Sequence, residues 1–131
     1  MVDAVPGLAL ALARQPTVVD VTARLSTGEH LATVLLIPDV VAALCLKAYA
    51  YRGRFANRDA IDVWRLLEAA DAAGVGAADW DLQGAKLDAA RILHQFFVPA
   101  RAQGPASATR HAGQQVRIRA LVRRIVASPP A

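Results

Sequence analysis

The sequence predicts an α+β protein, a small β-hairpin or sheet element followed by a helical bundle, in one domain over residues 1–131. Three observations predict it. "TVVDVTA" (17–23) and "LATVLLI" (31–37) carry the alternation or apolar density of strands, and they flank "RLSTGEH", whose Ser, Thr and Gly suit a turn. From residue 38 onward, apolar residues recur at helical spacing in successive segments. The composition is 55% hydrophobic but only 5% aromatic, with many alanines, which favours closely packed helices over a core of large rings. A partial sheet region over 1–37 therefore precedes a helical region over 38–131.

Residues 7–14 read as a short helix that Pro16 stops. The two strands that follow are marginal alone, so they are expected to lean on helices or to complete a larger sheet. Pro38 and Asp39 open the next helix, because proline suits a first turn and an acidic residue suits the positive end of the helix dipole. Val40, Val41, Leu44, Cys45 and Ala48 define its buried stripe. Lys47 lies one step off that stripe, where its stem follows apolar surface while the ammonium reaches a groove or solvent.

After "YRGRFANR", with Asn57 as cap, a second helix runs over 58–73 and ends at Gly74. Asp59, Asp62, Val63, Leu66 and Ala70 share one side of it. Carboxylates at the start of an inward-leaning stripe need partners, and a lysine or arginine of the preceding helix is the natural supply. Residues 74–84 read as a connector and 85–100 as a third helix, packed through Leu87, Ala90, Ile92, Leu93, Phe96 and Phe97. Gly, Pro and small polar residues make 101–113 a loop. The last helix, 114–126, sets Ile118, Leu121, Val122 and Ile125 at i, i+3, i+4 and i+7, with Arg117, Arg119, Arg123 and Arg124 around them.

Several classes of function find no support. No apolar run is long enough to span a bilayer, so no membrane partner is expected. Asp3 stands where a signal peptide would carry a basic residue, so a cytoplasmic location is expected. Cys45, the one cysteine, lies within an apolar helical pattern and reads as a small buried side chain. His30, His94 and His111 have no paired metal-ligand spacing, and no glycine-rich phosphate loop occurs. The net charge of +4 permits nucleic-acid contact, with the four arginines of the last helix as the RNA-facing candidates, although no aromatics are interleaved with them.

Lys47, Asp59 and Asp62 remain, and two readings stay open. They form either a brace between ordinary helices or a site in which Lys47 meets an anionic group, such as the phosphates of a nucleoside triphosphate, while a carboxylate orients it. The string "ALCLKAYAYRGR…NRDAIDVWRLL", preceded by Ile37-Pro38 in place of the usual valine-proline, resembles AbiEii-type nucleotidyltransferases, the toxin halves of abortive-infection and toxin–antitoxin pairs. The resemblance rests on Leu44, Lys47 and Ala50, then Arg58, Asp59, Asp62, Val63 and Leu66, and spans residues 18–67.

That resemblance implies the latter part of a polymerase-β-like nucleotidyltransferase fold. Lys47 and Arg58 would bind nucleotide, Lys47, Asp59 and Asp62 would be the catalytic set, and a cognate antitoxin would be the partner. The metal-binding Gly-Ser and D-x-D of that family have no counterpart in order. "DWD" (79–81) follows the lysine helix, so the chain is expected to begin inside the fold and to lack transfer activity on its own. Magnesium is implied for an active form, with Asp20 as a candidate ligand. The competing class is a non-enzymatic interaction module that uses a sheet edge or the arginine helix.

Overall fold

A computed structural model describes the backbone of residues 17–24, 30–37 and 39–131 and the side chains of 39–131. Thr17–Arg24 (β1) and His30–Ile37 (β2) pair antiparallel, with Thr17 opposite Ile37 and Arg24 opposite His30. The helices that follow are α1 (Val40–Arg54), α2 (Asn57–Ala72), α3 (Gly84–Phe97), α4 (Gln103–Ala108) and α5 (Ala112–Ile125). A 3-10 turn at Ala77–Asp79 links α2 to α3. The helix expected over 7–14, the turn residues 25–29 and Pro38 lie outside the described residues.

The α+β expectation is corrected. Residues 39–131 hold helices and turns and no strand or sheet, and every described core side chain belongs to them. The β1–β2 ladder has two strands, which is no layer on which a bundle is built, and the sheet-and-bundle arrangement of a polymerase-β-like fold falls with it. The helices instead supply one another's apolar faces. Fully buried alanines (Ala42, Ala48, Ala60, Ala70, Ala89 and Ala90) let their backbones approach closely. Helix α2 is the hub, packed by α1, α4 and α5, and α3 packs on α1, α4 and α5 in turn.

Local chemistry sets the ends of α1 and α2. The Asp39 carboxylate accepts a hydrogen bond from the Ala42 N–H at 3.0 Å, capping α1. At the other end the chain turns through Phe55, which has φ 49°, a left-handed conformation rare in an aromatic residue. Helix α2 ends where Gly74, at φ 75°, donates to the Asp71 carbonyl and Val75 to the Ala70 carbonyl, the paired bonds of a Schellman motif. The expected Asn57 cap shifts by one residue. Extended Ala56 is the cap, its carbonyl accepting from Asp59 and Ala60, and Asn57 is already helical.

The segment 101–113 is not wholly a loop, because α4 lies within it. Pro105 sits in the first turn of α4, where its missing N–H has no helical partner to lose. Gly104 allows α4 to press against the end of α3. A Cβ there would stand 2.6 Å from the Phe96 carbonyl oxygen and 2.7 Å from the Phe97 ring. Gly104→Ala is therefore expected to cost about 1–3 kcal/mol, seen as a lower urea midpoint with an unchanged slope.

Candidate functional site

The buried stripe of α2 begins with a charge. Asp59, Val63, Leu67 and Ala70 are all fully buried, so the first turn of α2 carries its carboxylate into the interface with α1. Such a group needs full hydrogen bonding. Arg54, from the last turn of α1, provides a two-pronged clasp, its Nε donating to Asp59 Oδ2 at 2.6 Å and its Nη2 to Oδ1 at 2.9 Å. Lys47 Nζ lies 3.7 Å from the same Oδ1. The Arg54 hydrogen bonds hold the Asp59 carboxyl below its ordinary range, outweighing the burial that pushes the other way, and Arg54 is raised in return.

Lys47 has a second carboxylate. Its Nζ lies 2.8 Å from Asp62 Oδ2, and Arg65, one turn on, approaches Asp62 Oδ1 at 4.0 Å. These groups line an open groove between α1 and α2 of about 360 Å³, with Ala43, Leu46 and Leu66 as its apolar walls. Lys47 keeps 35% of its side chain exposed, with its ammonium held between Asp62 and the buried Asp59. Asp59 is not part of the lining and is linked to it through Lys47.

The structure thus gathers Lys47, Asp59 and Asp62 into one network. Arg58 is exposed and acts on Asp59 through its field. Asp20 lies on β1, and its side chain is outside the described residues. Arg65 was missed, although its i, i+3 spacing from Asp62 was a signal. Arg54 supplies the basic partner expected from the preceding helix, where no spacing rule distinguishes it from Arg52. The "DWD" carboxylates stand elsewhere: Asp79 accepts from the Gly76 N–H at 2.9 Å within the 3-10 turn, and Asp81 is exposed. Cys45 is fully buried in the core.

The chemistry available is that of cations held in place. Two cations, Lys47 and Arg65, and one carboxylate, Asp62, are the charged groups of the groove lining, a balance that suits an anion, while Arg54 and Arg58 act on the buried Asp59 outside it. A magnesium site does not fit the described residues. Among them no three acidic, histidine or cysteine side chains gather to hold a metal, and the two carboxylates here face cations.

The arginines of α5 divide. Arg117 clasps Glu68 of α2 through Nε and Nη2 at 2.5 and 2.7 Å, and Arg124 bonds Asp71. Its hydrogen bonds to Arg117 hold Glu68 below its ordinary range against the opposing effect of burial. Arg123 reaches the Val98 carbonyl at 3.5 Å. The basic face is in part a clamp that fixes α5 to α2. No helix among the described residues is long and apolar enough to cross a membrane.

In comparisons with known proteins, no family model, curated protein or solved structure matches the chain.

Proposed function

We propose that the chain is a nucleotidyltransferase-like protein of the AbiEii kind that binds the phosphates of a nucleoside triphosphate in the α1–α2 groove. Transfer is not part of this reading. The observation that carries it is the placement of Lys47, a lining residue of the groove whose ammonium lies between Asp62 and the buried, arginine-clasped Asp59. Asp59 positions the lysine, since both its oxygens are engaged by Arg54 and buried away from any ligand. Asp62 occupies the ammonium until an anion takes its place. A cytoplasmic toxin–antitoxin setting, with a cognate antitoxin as partner, follows from the same reading.

Isothermal titration of ATP, with and without magnesium, tests it. Lys47→Ala is expected to weaken binding by about tenfold or more, the loss of a charge-assisted phosphate contact. Asp62→Asn is expected to tighten it, because it releases the lysine from a competing carboxylate. Absence of ATP binding by the folded protein, or equal affinity in the Lys47→Ala variant, overturns the assignment.

A further inference from the structure

The turn between α1 and α2 presents a different surface from the groove. Over residues 49–58, "YAYRGRFANR", there is no acidic residue. Arg52, Arg54 and Arg58 are all exposed, and only Arg54 is engaged by Asp59. Among them stands Phe55, which is 44% exposed. Phe55 and Val116 are the large hydrophobic residues exposed among the described ones. The Phe55 ring is nonetheless fixed. It meets the rings of Tyr51 and Phe96 in T-shaped contacts, with centroids 5.4 and 5.2 Å apart. Arg52 is steadied over the Tyr49 ring, 5.3 Å from its centroid. A Cβ added at Gly53 would meet nothing within 4 Å, so the backbone between the arginines is open to close approach.

An aromatic ring held rigid and partly exposed among cations matches the needs of unpaired nucleobases on a phosphate backbone. Stacking uses the π-face that every base has, and arginines meet the phosphates on either side. The left-handed conformation at Phe55 sharpens the point. Glycine would occupy it without strain, yet the position carries a ring that solvent partly covers. We infer that the α1–α2 turn binds single-stranded nucleic acid, with Phe55 stacking on a base and Arg52 and Arg58 contacting phosphates. Helix α5, with four arginines, lacks such interleaved rings, and two of its arginines are engaged by α2.

Fluorescence anisotropy with labelled oligouridine and oligothymidine of about 12 nucleotides tests the inference on the full chain. Wild-type protein is expected to bind both strands, more weakly as salt rises. Phe55→Gly removes the ring while favouring the left-handed backbone. It should weaken binding about tenfold at unchanged helical circular dichroism, and Phe55→Trp should retain affinity. Replacing Arg52 and Arg58 together by serine should flatten the log–log salt dependence by about two. The inference is independent of the groove: Lys47→Ala should leave oligonucleotide binding intact, and Phe55→Gly should leave ATP titration intact. It is overturned by absence of binding at low salt, by equal affinity in the Phe55→Gly variant, or by a polyglutamate peptide that competes with equal strength.

Discussion

Replacement of Asp59 by alanine is expected to lower the thermal midpoint by roughly 10 °C, corresponding to about 2 kcal/mol in a body of this size. Asp59 is fully buried and joins the end of α1 to the start of α2, so its loss leaves Arg54 and Lys47 without their shared anion. A fully enclosed pair would cost more. Here Arg54 keeps 54% of its side chain exposed, so water recovers part of the loss. The acid limb carries the same signature. Because the folded-state pKa of Asp59 is lowered, its contribution is complete above the unfolded value of about 3.9 and is lost as pH falls through the lower folded value. Unfolding midpoints followed from neutral to acid pH should therefore decline less steeply for Asp59→Asn than for wild type. Equal slopes would show that the clasp stores no such linkage.

Phe97→Ala should cost about 4 kcal/mol, the largest single effect expected in the core. The ring is fully buried at the end of α3, and its centroid lies 5.2 Å from that of Tyr51 of α1. Gly104 of α4 also packs against the ring, so residues of α1 and α4 both meet this α3 side chain. Collapse into the vacated space is restrained, because the Tyr51 hydroxyl is hydrogen-bonded to Ser107 at 3.1 Å. Phe97→Leu, which refills most of the volume, should cost about 1.5 kcal/mol or less, and urea midpoints at constant slope measure both. A Phe97→Ala loss no greater than that of Phe97→Leu would mean that the three helices close over the gap.

Much of the helical region was legible in the sequence because period 3.6 is a local property. The α5 stripe of Ile118, Leu121, Val122 and Ile125 is buried as its spacing requires. Gly74 takes the left-handed position after α2, and Asp39, expected within the first turn of α1, stands one place earlier as its cap. The meeting of Lys47, Asp59 and Asp62 was legible for the same reason, since two helices joined by a short turn have few ways to lie side by side. The α+β class was not. Strand-like alternation over 17–37 says nothing about whether a core is built on it, and the alanines of α1, α2 and α3 let the helices close their own. Helix α4 was hidden because Gly104 and Pro105 read as breakers, whereas one serves close packing and the other sits in a first turn. The Arg117–Glu68 and Arg124–Asp71 pairs join residues 49 and 53 positions apart, a relation fixed by how α5 crosses α2 and by no local spacing.

Glu68 is shared. Besides holding Arg117, it accepts a hydrogen bond from the Trp64 indole at 3.2 Å, while the other tryptophan, Trp80, is 3% exposed and donates to the Lys86 carbonyl at 3.0 Å. The chain's two tryptophans are thus assigned to different events. One fluorophore is wired to the ionic seam between α2 and α5, and the other is sealed in the interior. Intrinsic emission therefore carries an optical record in which loosening of that seam by salt and loss of the core are separate signals.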